Sequence, residues 1–291
     1  MDKQSSVTLA PGKIYVDYGP ISVVIAAWKD EQPLTELCHK AAHVAVACLS
    51  EVSEQLHLLK MPWQYCYTKT LRPACLRMWK SASITQDPEL TPMAAVAGTI
   101  ADYTADWLVE NGATKVFVNN GGDIAIRLLQ GAKTCVGIVP YLGAKQYSHT
   151  IAVSSEDHIG GIVTSGFGGR SFTQGIASSV TVLAHSCSVA DAFATALANT
   201  SFVDGPYVQR VPAKTIDPNT DIPELLITVK VDQIPPDIAR KSLEQIQIQA
   251  QIAIDRQEIL GIAAHVQGMS MTIPDRYFSP ANKQGGNSKW I

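Results

Sequence analysis

Strand patterns in this chain follow one another without a helix between them, and that limits the folds open to it more than any other feature. Lys13 to Tyr18 alternates, Gly19-Pro20 punctuates, and Ile21 to Ala27 is a continuous apolar run. Two strands joined by a turn have this pattern. Three further strands are expected in succession over 115–119, 124–129 and 134–139. A doubly wound sheet needs a crossover, usually a helix, between parallel neighbours. This order instead predicts an α+β fold, with helices packed on mixed, largely antiparallel sheets.

The helical patterns fit that picture. Leu34, Leu37, Ala41, Val44, Cys48, Val52 and Leu56 fall at helical spacing and predict a helix over 34–58. Thr91-Pro92 opens a second helix that runs to about Glu110, where Asn111-Gly112 ends it. Ser188 to Ala198 predicts an alanine-rich third, and Pro236 to about Ile259 a polar fourth. Strands are expected at 160–166, 179–184, 225–231 and 260–272. The stretches 60–90, with Pro62, Pro73 and Pro88, and 205–224, rich in Pro and Asp, read as irregular. One domain is expected over 1–275, with a flexible tail over 276–291 where the composition turns polar.

Composition excludes some roles. The 23 Lys and Arg residues are scattered and the net charge is −3, so no nucleic-acid partner is expected. No run of 18 apolar residues exists, so no membrane span is expected. The start, Met1-Asp2-Lys3-Gln4, lacks the apolar core of a signal peptide. Six cysteines without CxxC spacing read as reduced, mostly buried thiols. A cytoplasmic protein is the expectation. The alanine-rich helices and the apolar strand over 21–27 lead us to expect a homo-oligomer.

Three segments carry the chemistry. In the first, apolar strand residues run straight into Asn119-Asn120-Gly121-Gly122-Asp123. The glycines let a backbone come close to a ligand, and the Asn and Asp side chains offer hydrogen bonds to it. The same residues also make an ordinary hairpin turn. The second is Thr164-Ser165-Gly166-Phe167-Gly168-Gly169-Arg170-Ser171. Successive amides in such a loop can form an anion-binding nest, and Arg170 can clamp a phosphate or carboxylate with two donors. The alternative is a flexible solvent loop. In the third, Ser188 can cap a helix and Asp191, three residues on, can reach back to the cap. Asp191 and Thr195 are four apart, so a carboxylate and a hydroxyl share a helix face that suits Mg2+. Asp191 can equally be no more than a cap partner.

Two weaker candidates stand beside these. His39 and His43 have the i, i+4 spacing of zinc ligands on a helix, but no third ligand is evident. Cys187 lies near His185, yet one intervening residue sends their side chains apart.

Taken together, the three segments resemble the ApbE-like superfamily. In its flavin transferases an Asn-x-Gly-Gly-Asp/Asn turn follows a strand. A Thr-Ser-Gly stretch comes later, and an Ala-Asp-x-x-Ala-Thr-Ala helix follows a Val-Thr-Val strand. Here these stand as Asn119 to Asp123, Thr164-Ser165-Gly166, Val180-Thr181-Val182 and Ala190 to Ala196. Ala97-Gly98-Thr99-Ile100-Ala101-Asp102 stands where that family has Lys-Gly-Tyr-Ala-x-Asp. The family's His-Ile-Asp-Pro stretch is replaced by Phe167 to Ser179, which contains Arg170. That replacement is similar to a less characterised, cytoplasmic branch.

The resemblance implies an ApbE-like α+β fold. It implies that Asp191 and Thr195 help hold Mg2+, and that the Gly-Gly-Asp turn and Thr-Ser-Gly loop border a cleft the size of a flavin nucleotide. In the best-known members it implies transfer of FMN from FAD to a protein Ser or Thr. Three activities are therefore carried forward. The first is an enzyme, hydrolase or transferase, acting on a small anionic molecule. There Arg170 anchors the anion, Ser165, Thr164 and loop amides steady negative charge, and Asp123 or Asp102 acts as base, with His185 an outside candidate. Asp191 takes the metal. The ligand-binding set is Asn119, Asn120, Gly121, Gly122, Thr164, Gly166, Gly168, Gly169 and Ser171. The second activity is FMN transfer proper. The third is non-catalytic carriage of a flavin or nucleotide.

Overall fold

The structure, a computed structural model, describes residues 5–129 and 131–281. In chain order the first elements are β1 (Ser5–Ala10), β2 (Lys13–Tyr18), β3 (Ile21–Lys29) and β4 (Gln32–Pro33). Helices α1 (Thr35–Glu54), α2 (Leu56–Leu59), α3 (Pro73–Ile84) and α4 (Val96–Glu110) come next. They are followed by β5 (Lys115–Asn120), β6 (Asp123–Leu128), β7 (Lys133–Ile138), β8 (His149–Ser154), β9 (Gly161–Ser165) and β10 (Ser179–Ala184). Helix α5 (Cys187–Thr200) leads to β11 (Val208–Pro212) and β12 (Leu226–Val231). The last elements are α6 (Pro236–Asp255), β13 (Gly261–Val266), β14 (Met269–Ile273) and β15 (Ser279–Pro280).

The chain divides into two compact units. The first takes its described residues from Met1–Ala132, Ser154–Val163 and Ala184–Ala192. The second takes them from Lys133–Val153, Thr164–Leu183 and Phe193–Ile291. Strand β9 and helix α5 supply residues to both.

In the first unit β1, β2, β3, β5, β6 and β9 pair antiparallel in that order. The alternation read in β2 and β3 is a two-faced sheet. Ile14, Val16, Val23 and Ile25 are fully buried. Tyr15 and Ser22, pointing the other way, share a hydrogen bond of 3.0 Å. Helices α1 and α4 pack against each other, α1 also on β2 and β3 and α4 on β5 and β6. Small residues let them come close: Cys38, Ala41, Ala42 and Ala45 of α1, and Ala101 and Ala105 of α4, are buried. Phe117 is the largest side chain fully enclosed. Replacing such a ring by alanine costs about 3–5 kcal/mol.

Helix α3 lies inside the stretch expected to be irregular. Pro73 stands at its start, where a missing N–H costs nothing and the fixed φ favours the helix. Ala74, Cys75, Met78 and Ala82 then fall on one buried face. Strand β1 also went unread; it pairs with β2 through a register shift between Thr8 and Ala10.

In the second unit β10, β13 and β14 form antiparallel neighbours. All six residues of β10 and of β13 are buried. The strand region expected over 260–272 is this β13–β14 hairpin, with positive φ at Gln267 and Gly268. Helix α6 packs on the pair and buries Ala239, Leu243, Ile246, Ala250 and Ala253. Strands β11 and β12 pair antiparallel, so the expected loop over 205–224 contains a strand. Residues 276–281, expected to begin a flexible tail, carry β15. Ser279 and Pro280 pair with Thr150 and His149 of β8, and Phe278 is buried. The rest of that tail, 282–291, lies outside the described residues.

The α+β expectation is met, with helices on antiparallel sheets. All six cysteines are free thiols and five are buried. Among the described residues no helix is long and apolar enough to cross a membrane.

Candidate functional site

The first of the three segments is a hairpin. Asn120 and Asp123 face each other across β5 and β6, and Gly121 and Gly122 form the two-residue loop with φ of 70° and 119°. Such loops need positive φ at both positions, which glycine supplies without strain. Asn119 Oδ1 accepts from the Gly122 amide at 2.9 Å. Asn120 Nδ2 donates to the Ala97 carbonyl at 3.2 Å. The two asparagines thus shape the turn and tie it to α4. Gly121 and Gly122 are exposed and Asp123 is half-buried at the strand end.

Two further carboxylates stand in the same unit, each placed at the start of a helix. Asp102, on α4, is completely buried. Its oxygens accept from the backbone amides of Cys187 at 3.0 Å and Ser188 at 2.9 Å, the first turn of α5. Asp191, on α5, accepts from the Gly98 amide at 2.8 Å, and the Ala97 amide also bonds it. Those amides belong to the first turn of α4. Each helix therefore caps the other, and each cap places negative charge at the positive end of a helix dipole. The approach depends on glycine. A Cβ on Gly98 would overlap the Cys187 carbonyl, and one on Gly161 would overlap the Cys187 backbone.

This corrects the expected cap of α5. Asp191 does not reach back to Ser188. Ser186 stands before the helix, and its hydroxyl accepts the Val189 amide at 3.4 Å. Asp102 satisfies the two amides before that. It also has no freedom to act as a base, because its Oδ1 further accepts from Arg127 Nη2 at 2.9 Å. Arg127 bonds Asp106 through Nε at 2.8 Å and the Ile126 and Gly160 carbonyls through Nη1 at 2.9 and 3.0 Å. Arg77 joins Asp106 from the other side at 3.0 Å. Burial works against the Arg127 charge, but Asp102 and Asp106 outweigh it and hold the guanidinium protonated.

The Asp191 carboxyl is buried. Burial, then the neighbouring charge of Asp123, push its carboxyl well above the usual range, against the pull of the Gly98 and Ala97 amides. A buried carboxyl raised by a second carboxylate is a recurrent mark of functional sites.

The second segment, Thr164–Ser171, belongs to the second unit. Thr164 Oγ1 meets Thr181 Oγ1 at 2.8 Å. Gly166 has φ of 150° and sits against the carbonyls of Ala177 and Ser178, where a Cβ would not fit. The Phe167 amide donates to Ala177 at 2.8 Å and the Gly169 amide to Gly166 at 3.1 Å. Those two amides are therefore not available to a nest. Gly168, Gly169, Arg170 and Ser171 are exposed and Ser165 is half-buried. Among the described residues no carboxylate or carbonyl pairs with the Arg170 guanidinium. Thr195 is half-buried, one turn after Asp191 in α5.

The weaker candidates resolve in different ways. Both ring nitrogens of His39 are taken, Nδ1 by Ser6 and Nε2 by Thr8, each at 2.9 Å, so the zinc reading of His39 and His43 loses its first ligand. Cys187 is fully enclosed, and burial, with the charges of Asp102, Asp123 and Asp191, pushes its thiol far up. It is no thiolate. His185 is exposed, with Nδ1 on the His158 carbonyl at 2.9 Å.

Comparison with known proteins follows this geometry. The family model AbpE_bact, described as AbpE bacteria, matches residues 6–272. A UPF0280 protein of Methanothermobacter thermautotrophicus is 38% identical over 131 residues, 44% of this chain and 49% of that protein. A UPF0280 protein of Archaeoglobus fulgidus is 43% identical over 108 residues, 37% of this chain and 43% of that one. The chain thus spans about half the length of the curated relatives it matches. Among solved structures, the apo form of Pseudomonas stutzeri flavinyl transferase ApbE aligns with a TM-score of 0.49 at 13% identity, over 96% of this chain and 99% of that one. Flavin Transferase ApbE from Vibrio cholerae aligns with a TM-score of 0.42 at 15% identity, over 67% and 86%. At those scores the likeness adds nothing to an argument about the site. The family match covers most of the residues, and the chain belongs to the AbpE_bact family.

Proposed function

We propose that the chain is an enzyme acting on a small anionic molecule, bearing a carboxylate or a phosphate, by Mg2+-assisted hydrolysis, ring opening or group transfer. The observation that supports this reading is the burial of Asp191 beside the charge of Asp123. Capping α4 needs one carboxylate; the second adds repulsion that a structural role alone does not call for.

A hard divalent cation relieves that repulsion. Mg2+ commonly takes one or two carboxylates and fills its shell with waters and ligand oxygens. The donor chemistry fits such an ion: Asp191 and Asp123 would hold it. Among the described residues no three or more His, Cys, Asp or Glu side chains gather as a metal site. When bound, the ion supplies positive charge to a substrate oxygen. The Gly98 and Ala97 amides keep the Asp191 carboxylate aimed while this happens. In the second unit the loop chemistry suits an anion, with Arg170 offering two parallel donors.

A thermal-shift titration with FAD, FMN and simple dicarboxylates, each with and without Mg2+, tests the reading. A ligand at a hundredfold excess over its dissociation constant adds about 2.7 kcal/mol of stability. A Mg2+-dependent shift with dicarboxylates and none with flavins is the expected result. A Mg2+-dependent shift with FAD would replace it by FMN transfer to a protein acceptor. A flavin shift indifferent to Mg2+ would replace it by carriage, and no shift with any of them would remove all three readings.

A further inference from the structure

Two imidazoles in the second unit stand outside everything described so far. His265, on β13, is 5% exposed. Its Nδ1 lies 3.0 Å from Ser179 Oγ, and that hydroxyl donates to the Pro140 carbonyl at 3.0 Å. A hydroxyl has one proton. Since the carbonyl takes it, the ring nitrogen must be the donor to Ser179. The Nδ1 proton is thereby fixed, and the lone pair sits on Nε2, which is buried and without a partner. His149, on β8, repeats the arrangement. Its Nδ1 lies 3.2 Å from Ser148 Oγ, which donates to the Ile138 carbonyl at 3.2 Å. Again the proton belongs on Nδ1 and the lone pair on Nε2.

The two rings lie with centroids 5.7 Å apart and planes 53° apart. Zinc sits about 2.0–2.1 Å from a histidine nitrogen and so about 3.2 Å from the ring centroid. Two rings sharing one ion then have centroids roughly 5 to 6.3 Å apart, from tetrahedral to linear. The observed spacing falls inside that range. A histidine ligand characteristically donates its second ring N–H to an outer partner that fixes its tautomer, and here both do. Burial favours the neutral form of both rings. Burial lowers His149, with Asp275 pulling it back, and burial, then His149, lowers His265 to about 4. A neutral ring is the form that binds metal. Asp275 adds negative charge close to His149, while its Oδ1 accepts from Thr272 at 2.6 Å.

We propose that His149 and His265 form a two-imidazole site for a borderline transition-metal cation of the Zn2+ class, bound through both Nε2 atoms. The donor type selects this class, because imidazole suits zinc, copper and nickel, and no thiolate takes part. Only two side chains are supplied, so the remaining positions belong to water or to a donor group of a ligand. That is the open form of site, not the closed four-ligand form. The half-buried ring of His149 forms the side through which an ion enters. The inference does not depend on the carboxylate reading of the first unit.

The test is isothermal titration of the metal-stripped protein with Zn2+, beside nitrogen-detected NMR of the imidazoles. We expect one site per chain, and Nε2 of both rings shifting together on metal addition while each Nδ1 keeps its proton. His149→Asn and His265→Asn should each weaken that site at least tenfold, while His57→Ala, an exposed histidine, should leave it unchanged. The NMR arm uses the unaltered chain, so it stands even where His265→Asn fails to fold. Zinc that binds without moving either Nε2, or equally well in His149→Asn, overturns the proposal. So does no binding, in which case the Nε2 lone pair of His265 accepts from a trapped water.

Discussion

The junction of α4 and α5 and the Thr164–Ser171 loop use polar residues in opposite ways. At the junction every carboxylate has work inside the protein. Asp102 holds two amides and a guanidinium, and Asp191 holds the start of α4. In the loop Thr164, Arg170 and Ser171 are exposed and the guanidinium has no partner among the described residues. The contrast separates two kinds of site residue. Those at the junction are fixed by the fold, and changing them disturbs stability and function together. Arg170 and Ser171, exposed in the loop, can change with little cost to the fold, so an effect there reports on ligand.

Four substitutions can break or sharpen that contrast. The largest effect belongs to Asp102→Ala. It takes from the buried Arg127 one of its two carboxylates and leaves two amides of α5 without an acceptor. Breaking a buried pair in this way costs about 3–5 kcal/mol, read from the denaturant midpoint. A loss under about 1 kcal/mol, the size of a surface pair, would erase the distinction between the two regions. Gly98→Ala comes next. Its methyl meets the Cys187 carbonyl, and overpacking of this kind costs about 1–3 kcal/mol. Full stability in Gly98→Ala would mean that the helices separate easily.

Asp191→Asn is expected to change the dependence on pH more than stability itself. The folded pKa of Asp191 lies above its ordinary 3.8. The folded chain therefore keeps a proton that the unfolded chain releases, and stability from this group declines as pH rises from about 3.8. Asparagine removes that slope, and it should also remove stabilisation by Mg2+. Melting curves across pH, with and without Mg2+, decide this, and an unchanged Mg2+ response would take Asp191 out of the metal site. The smallest structural effect belongs to Arg170→Ala, within about 0.5 kcal/mol as for exposed residues without partners. Anion binding should nevertheless fall. A destabilised Arg170→Ala would show that the loop too is built into the fold.

Much of the scaffold could be read from local pattern. The β2–β3 hairpin, α1 and β10 stand where alternation, helical spacing and a Val-Thr-Val run placed them. Helix α3 escaped because Pro73 was counted as a breaker, although at a first helical position it is not one. Strand β15 escaped because its partner is more than a hundred residues away in β8. The site divides along the same line. The hairpin at Asn119–Asp123 follows from its own residues. The caps do not, since the group that caps α5 is an aspartate 85 positions earlier. Asp102 looked like a spare carboxylate only because nothing near it in the chain showed what it holds. The histidine pair was hidden for the same reason: its serines are adjacent in the chain in one case and 86 residues distant in the other.

The reciprocal caps also say something about the order in which the chain assembles. Their hydrogen bonds join residues 85 to 93 positions apart. Neither helix can seal its first turn until that long segment has closed, and contacts across such distances delay folding because closure comes before any reward. Asp191 is therefore expected to reach its neighbours only after the folding barrier is crossed, with folding rates little altered and unfolding accelerated when Gly98 or Asp102 is changed. Chevron kinetics on those two positions would show it. The carboxylates then meet as a late event of folding, and a nascent chain holds no part of that chemistry until residue 191 has been made.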